Sequence, residues 1–227
     1  MTLPSIIAID GPAASGKSTV GEKLAKELGY LFFDTGVMYR AITYAAMVRL
    51  SSIDDEAAVS NLANGVSIDV RPPSIQDDRQ SDVLLDGQDV TWEIRRPEVE
   101  ANVSQVSAYP EVRKAMTSQQ RRIGLRGNVV MAGRDIGTVV FPEAQLKIFL
   151  VASIEVRARR RLEEILLRGG EASYEEILSS LRRRDRIDST RAMAPLKVAD
   201  DAIIIDTNDL TIDEVLEIVK SLMPACF

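Results

Sequence analysis

The sequence predicts an α/β fold, with a parallel β-sheet core covered by helices on both faces. Two observations lead to this prediction. Short apolar runs alternate with longer stretches whose apolar residues recur every three or four positions, as strands and helices do in such folds. The chain has 227 residues, 45% of them apolar and 27% charged, which is enough for one folded unit with a sizeable core.

The predicted strands and helices follow one another along the chain. Five apolar runs indicate buried strands, namely SIIAI, YLFF, NVVMA, LKIFLVA and AIIID. Apolar periodicity predicts helices at residues 17–28, 37–50, 154–168, 173–186 and 212–223. Gly29 ends the first of these helices, and Ser173 with Glu176 forms a capping-box pattern at the start of the fourth.

Residues 65–125 interrupt this alternation. GVSIDVRPP and SDVLLDGQDVT indicate antiparallel strands with a hairpin turn at Asp86 and Gly87, and helices are predicted at 97–107 and 110–124. We interpret 65–125 as a lobe inserted into the core. The core is then formed by residues 1–64, 126–153 and 190–227.

Composition narrows the chemistry that the chain can perform. There is no histidine, which excludes a His base, a Ser-His triad and a His metal site. The net charge of −6 argues against nucleic-acid binding, yet arginines are dense between Arg157 and Arg191, as in a site for a small polyanion. No signal-peptide pattern or membrane span is visible, and Cys226 is the one thiol, so we expect a cytoplasmic protein that binds no membrane.

The pattern G-x-x-x-x-G-K-S carries the clearest chemical signal, because it lies between a predicted strand and a predicted helix. Its backbone N–H groups converge on phosphate oxygens, Lys17 reaches the β- and γ-phosphates, and Ser18 ligates Mg²⁺. The sequence therefore predicts a nucleoside triphosphate site. The residues expected at the phosphates are Gly11, Pro12, Ala13, Ala14, Ser15, Gly16, Lys17, Ser18 and Thr19.

Three uses of a bound triphosphate compete. A GTPase switch would carry an N-K-x-D motif, which the sequence lacks. An ATPase module would show a carboxylate pair after an apolar strand, and Asp34 and Asp206 are weak candidates for it. A kinase needs a second anion site and cations on a lid. Three arginine-bearing segments supply them: DTGVMYRA, GRDIGTVVFPEA and RRRDRIDSTRAMAPL.

These segments, together with GPAASGKST, NVSQVSAYPEVR and VRARRR, resemble bacterial cytidylate kinases in order over nearly the whole chain. The resemblance implies a P-loop kinase with an inserted acceptor-binding lobe at 65–125 and a short Arg-rich lid at about 154–189. It implies transfer of the γ-phosphoryl group of ATP to CMP or dCMP, assisted by Mg²⁺ and without a protein nucleophile.

The site residues that the resemblance implies fall into groups by the part of the substrate they contact. The acceptor phosphate is expected at Arg40, Arg134 and Arg191. The cytosine base is expected at Ser104, Arg113 and Asp135. The sugar is expected at Arg184 and Asp188. Tyr39 is expected to pack on the acceptor, with a plain core tyrosine as the alternative. Lid cations that offset charge during transfer are expected to be Arg157, Arg160 and Arg161, with Arg159 in solvent.

The sequence departs from the family pattern at one position, and several alternative functions stay open. The residue before GRD is usually acidic in the family and here it is Ala132, so Asp34 becomes the candidate for the metal beside Ser18. Other acceptors, such as UMP, AMP or a hydroxylated metabolite, are alternatives to CMP. An RNA-associated ATPase is a further alternative. A monomer is the simplest expectation for a kinase that closes a lid.

Overall fold

The computed structural model describes residues 3–167 and 169–223, so Cys226 lies outside the described residues. The strands are β1 (Ile6–Asp10), β2 (Leu31–Asp34), β3 (Ile68–Arg71), β4 (Asp82–Leu85), β5 (Gln88–Asp89), β6 (Val129–Gly133), β7 (Leu146–Val151) and β8 (Ile203–Asp206). The helices are α1 (Lys17–Leu28), α2 (Gly36–Arg49), α3 (Glu56–Gly65), α4 (Pro97–Val106), α5 (Pro110–Gly124), α6 (Ile154–Leu167), α7 (Tyr174–Thr190) and α8 (Ile212–Ser221). A 3₁₀ turn covers Glu93–Arg95, and a π-helical turn covers Ile136–Val140.

Five of the strands form a parallel sheet in the order β2-β6-β1-β7-β8. These are the five strands predicted from the apolar runs, so the parallel core is confirmed. The strand β1 lies in the middle of the sheet and pairs with β6 on one side and β7 on the other. Because the strands are parallel, the segments that follow β1, β2, β6 and β7 all emerge at one edge of the sheet.

Helices cover both faces of the sheet, as predicted. On one face, Ala8, Phe33 and Met131 pack in an apolar cluster with residues of α2, α3, α4 and α5. On the other face, Ile7 and Ile9 pack with residues of α1 and α8. The neighbours Ile7 and Ala8 belong to opposite clusters because successive side chains of a strand point to opposite faces.

The small antiparallel sheet β3-β4-β5 confirms the strand pattern predicted within 65–125. Asp86 and Gly87 have φ of 51° and 84°, the left-handed conformation that a two-residue hairpin turn requires. Apolar residues of this sheet join the cluster that covers one face of the parallel sheet. The bounds of this segment as a separate lobe remain a prediction.

Two elements differ from the sequence-based expectation. Helix α3 was not predicted, although Asp55 caps it by accepting a hydrogen bond from the amide of Ala58 at 2.9 Å. Helix α7 begins with the predicted capping box but continues to Thr190, beyond the predicted end at residue 186. In the part of the chain that the structure describes, no helix is both long enough and apolar enough to span a bilayer.

Candidate active site

The phosphate loop turns sharply between β1 and α1, and glycine is needed at its first position. Gly11 has a φ of 148°, and a Cβ atom added there would lie 2.3 Å from the carbonyl oxygen of Leu150. Ala14 and Gly16 also have positive φ, at 59° and 92°. The turn brings backbone N–H groups and the N-terminus of α1 to one place, which is the arrangement that binds phosphate.

Lys17 is the first residue of α1 and is only 6% exposed. Its Nζ donates hydrogen bonds to the carbonyl oxygen of Pro12 at 2.5 Å and to Oγ of Ser15 at 3.3 Å. Burial lowers the pKa of Lys17 well below its usual value, and the nearby Arg134 lowers it further. Two cations held close together inside the protein make this a place where a bound anion is favoured.

The hydroxyl of Ser18 donates a hydrogen bond to Oδ2 of Asp34 at 3.0 Å, and Oδ1 of Asp34 accepts from the amide of Gly36 at 2.9 Å. Ala132 pairs with Asp34 in the sheet and is buried, so it adds no ligand. A hydroxyl and a carboxylate are the oxygen ligands that Mg²⁺ takes alongside substrate phosphates. No cluster of three or more Asp, Glu, Cys or His side chains could hold a metal within residues 3–167 and 169–223. These two residues therefore fit a Mg²⁺ ion.

Asp188 joins two of the predicted acceptor arginines. Its Oδ2 accepts from Nε of Arg134 at 2.9 Å, and its Oδ1 accepts from Nη1 of Arg191 at 3.2 Å. This contact is possible because α7 continues to Thr190, which sets Asp188 on the helix and Arg191 at its end. The Nη2 atom of Arg191 is buried and finds no hydrogen-bond partner in the described part of the chain. It lies 3.7 Å from Oδ1 of Asp135, an ion pair beyond hydrogen-bond distance, so its N–H groups can still donate to a bound anion.

Glu100, which the sequence did not single out, joins two further predicted arginines. Its Oε2 accepts from Nε and Nη2 of Arg40 at 3.1 and 2.7 Å, and its Oε1 accepts from Nη1 of Arg184 at 2.6 Å. Arg40 lies on α2, Glu100 on α4 and Arg184 on α7, so this carboxylate connects three helices.

A buried ion pair lies beside these arginines. Nη2 of Arg113 donates to Oδ2 of Asp135 at 2.6 Å, and the two residues are 2% and 5% exposed. The ring of Tyr39 is 5.2 Å from the guanidinium of Arg113, and burial raises the pKa of Tyr39 to about 12. Oη of Tyr39 and Nε of Arg113 are buried without a hydrogen-bond partner among the described residues. Such atoms in a polar pocket fit a ligand that supplies the missing partners.

Ser104 is half-buried on α4, and its carbonyl oxygen accepts from the hydroxyl of Ser107 at 3.1 Å. Arg113 donates to the neighbouring carbonyl of Ser107 at 3.2 Å. The structure thus brings Ser104 close to the buried pair through the backbone of the same turn, whereas the other predicted acceptor residues meet through their side chains.

The predicted lid arginines have different partners. Arg157 is buried and donates to the carbonyl oxygen of Ala13 in the phosphate loop at 3.1 Å and to Asp185 at 2.6 Å. Arg160 donates to Thr207, and Arg161 donates to Glu164 at 2.7 Å. Arg157 therefore contacts the phosphate loop, whereas Arg160 and Arg161 bond elsewhere. Their role at the phosphates remains a prediction, and Arg159 is exposed as expected.

Asp10 is a second residue of the site that sequence reasoning missed. It ends β1 and is 5% exposed, and its carboxylate accepts from the amides of Ile136 at 2.9 Å and Gly137 at 2.7 Å. Burial raises its pKa to about 6. Because Ile136 follows Asp135 directly, Asp10 connects the start of the phosphate loop to the turn that carries Asp135. An acid at the end of an apolar strand was the available signal.

The fold and this site together define a P-loop kinase: a triphosphate loop at the edge of a parallel sheet faces a cluster of arginines suited to a second anion. The family description "Cytidylate kinase" matches residues 7–225. Curated relatives named "Cytidylate kinase" include one from Herpetosiphon aurantiacus, 50% identical over 98% of this chain and 96% of the relative. Another, from Chloroflexus aggregans, is 52% identical over 93% of this chain and 90% of the relative. The chain belongs to the cytidylate kinase family, which confirms the resemblance found in its sequence motifs.

Proposed function

We propose that this protein transfers the γ-phosphoryl group of ATP to CMP or dCMP, giving ADP and CDP or dCDP. The observation that carries the proposal is the buried Arg113–Asp135 pair, which lies with four arginines at the same sheet edge as the phosphate loop. Family membership supports the same substrates. A phosphate loop alone would explain the donor but not this second, charged pocket.

Transfer requires no protein nucleophile. An oxygen of the acceptor phosphate attacks the γ-phosphorus, and the bond from that phosphorus to the oxygen bridging it to the β-phosphorus breaks. Lys17 and the loop amides would stabilise the charge on the phosphoryl group in transit. Ser18 and Asp34 are the residues that would hold Mg²⁺, which when bound supplies charge neutralisation at the β- and γ-phosphates. Arg157, already on the loop, is the lid arginine best placed to help.

The acceptor would be recognised in three parts. Arg40, Arg134 and Arg191 would take its phosphate, since planar guanidinium groups match phosphate oxygens. Asp135 would accept from the 4-amino group of cytosine, which uracil lacks, and Nε of Arg113 would donate to the base. Oδ2 of Asp135 accepts from Arg113 at 2.6 Å, whereas Oδ1 lies 3.7 Å from Nη2 of Arg191, beyond hydrogen-bond distance, so Oδ1 is the oxygen that would accept from the amino group.

The arrangement also supports an enzyme acting on small molecules, which we propose to be a monomer. The arginines of the proposed site are held by carboxylates within the pocket. Arginines paired in this way inside a pocket are poor partners for a nucleic-acid backbone, which needs exposed cations.

The test is the release of ADP from ATP and Mg²⁺ in the presence of CMP, dCMP, UMP, AMP or no acceptor. We expect fast turnover with CMP and dCMP, and slow turnover with the others. ADP release that does not depend on an acceptor would indicate an ATPase instead. Turnover that favours UMP or AMP would be consistent with a kinase reaction but would contradict the proposed recognition of cytosine.

A further inference from the structure

Two carboxylates hold four of the five arginines of the acceptor site in pairs. Asp188 joins Arg134 to Arg191, and Glu100 joins Arg40 to Arg184. Asp188 belongs to the sequence motif that predicted the site. Glu100 lies on α4, outside every segment used for that prediction, although one of those segments begins later on the same helix. The equivalent placement of the two carboxylates points to an equivalent task.

The contact with Glu100 uses one edge of the Arg40 guanidinium and leaves the Nη1 atom near the start of α2. Nε and Nη2 bond Glu100, whereas Nη1 lies beside Gly36, where an added Cβ atom would come within 3.1 Å of it. The amide of Gly36 bonds Asp34, the partner of Ser18. A guanidinium held along one edge can present its other edge to a phosphate with little loss of side-chain freedom.

Charge supports the same task. Burial and the neighbouring Arg134 and Arg40 lower the pKa of Arg184, while Glu100 opposes this effect. Burial alone would raise the pKa of Glu100, but Arg40 and Arg184 lower it, so the carboxylate is ionised at neutral pH. Four guanidinium groups and two carboxylates leave a net charge of +2. That charge is equal and opposite to the charge of a fully ionised phosphate monoester.

We propose that Glu100 is a positioning residue for the acceptor: it holds Arg40 and Arg184 in the orientation in which they take the acceptor's phosphate and sugar. This inference rests on the proposed function, because it assumes that these arginines bind a nucleoside monophosphate. Glu100 acts through the two arginines and does not itself contact the substrate. Its carboxylate lies at the junction of α2, α4 and α7, so it also fixes how these three helices meet around the pocket.

Glu100→Gln tests the proposal, since it keeps the shape of the side chain and removes its charge. We expect the Kd for CMP, measured by calorimetry, to rise about tenfold, which corresponds to about 1.4 kcal/mol. The kcat at saturating CMP should change much less than KM. Glu98→Gln is the matched control, because Glu98 is exposed on the same helix and the charge change is the same. The control should bind CMP like the unmodified protein.

A double-mutant cycle with Arg40→Ala separates positioning from a general structural effect. If Glu100 acts through Arg40, the loss caused by Glu100→Gln should be clearly smaller in the Arg40→Ala background. Glu100→Asp keeps the charge and should bind CMP more tightly than Glu100→Gln. An equal loss in both backgrounds, or an aspartate variant no better than the glutamine variant, would overturn the proposal.

Unchanged CMP affinity in Glu100→Gln would overturn it as well. Tighter CMP binding would also overturn the proposal, because it would show that the carboxylate occupies the place of the acceptor phosphate. These outcomes differ from a failure of the proposed function, in which the unmodified protein would neither bind nor phosphorylate CMP.

Discussion

Single carboxylates determine where the arginines of this site point. Asp135, Asp188 and Glu100 each accept hydrogen bonds from one or two guanidinium groups, in contacts of 2.6 to 3.2 Å. A paired guanidinium keeps its charge and loses much of its freedom before the substrate arrives. Removing a carboxylate should therefore affect substrate selection as well as affinity.

Asp135→Asn should lower kcat/KM for CMP far more than for UMP. The asparagine amide has one acceptor oxygen where the carboxylate has two, so it cannot offer separate oxygens to Arg113 and to the 4-amino group of cytosine. It also leaves the buried Arg113 without its charged partner. Initial rates with the two acceptors measure the effect, and we expect a selective loss of up to about 100-fold for CMP, the upper range for one buried polar contact left unsatisfied. An equal loss for CMP and UMP would contradict a base-reading role.

Asp10 should make the free energy of unfolding fall as the pH rises from about 4 to about 6. Its native pKa of about 6 lies above the ordinary value of 3.8, so the native state holds a proton that the unfolded state has already released. By linkage, the stability from this proton is fully present below pH 3.8 and is lost as the pH rises through 6. The full effect is about 3 kcal/mol, to order of magnitude.

Urea unfolding at pH 4.5, 5.5 and 7 can check this in paired variants. The stability difference between the unmodified protein and Asp10→Asn should shrink as the pH rises. Asp206→Asn is the control, since Asp206 also ends a strand of the sheet but is exposed. A difference that stays constant between the pH values would show that Asp10 does not titrate in this range.

Sequence could predict some of these residues but not others. Lys17 and Ser18 follow from spacing, because the chemistry of a phosphate loop needs them next to its second glycine. Glu100 looked like any exposed helical glutamate, because its partners Arg40 and Arg184 are 60 and 84 residues away. The position of Asp10 at the end of an apolar strand could have singled it out, but its partners are amides 126 and 127 residues away, which no local pattern predicts.

At the scale of elements, the phosphate loop depends on the close approach of two backbones. Gly11→Ala should greatly weaken ATP binding, because its Cβ would lie 2.3 Å from the carbonyl oxygen of Leu150 in β7. The positive φ of 148° adds strain for any residue with a side chain. Titration with an ATP analogue and thermal unfolding would measure both effects.

Gly65→Ala is the matched control for that substitution. A Cβ at Gly65 would meet nothing within 4 Å, and its φ is not positive. We expect it to leave nucleotide binding unchanged and to change stability by at most about 1 kcal/mol. If Gly11→Ala bound the analogue as well as Gly65→Ala does, the close approach of Gly11 to the backbone of Leu150 would not matter for nucleotide binding.

Helix starts were better predicted than helix ends. The capping box at Ser173 and Glu176 identifies where α7 begins, and the structure contains both of its hydrogen bonds. The end of α7 carries no such signal, since its last turns are polar. In the structure these turns carry Asp188, which pairs with the distant Arg134. Helix α3 was missed because it is short, although Asp55 followed by Val59 and Ala63 has the spacing of a capped amphipathic helix.

At the scale of the whole molecule, the site draws on the segments after β1, β2 and β6 together with α4, α5 and α7. The apolar runs predicted the five parallel strands. A parallel sheet in turn predicted helices on both of its faces. How 65–125 packs could not be predicted, since its apolar residues join the same cluster as α2 and one face of the sheet. A segment that looks inserted in sequence is continuous with the core in packing.

Because elements from the whole chain meet at the acceptor site, CMP should stabilise the entire fold. At 100 times its Kd, a ligand adds about 2.7 kcal/mol, which for a domain of this size raises Tm by about 5–10 °C. Cytidine, which lacks the phosphate and cannot use Arg40, Arg134 and Arg191, should give a much smaller shift. Scanning fluorimetry with both compounds makes the comparison, and equal shifts would argue against these arginines as phosphate ligands.

The carboxylate of Asp10 connects the phosphate loop to the turn behind Asp135, and this connection has consequences for inhibition. Its strand runs into the donor loop, and its oxygens hold the turn behind Asp135. A compound that displaces that turn will therefore disturb the donor loop too, even if it never touches ATP. Conversely, a substitution at Asp10 that reduces the effect of such a compound should also weaken the binding of both natural nucleotides.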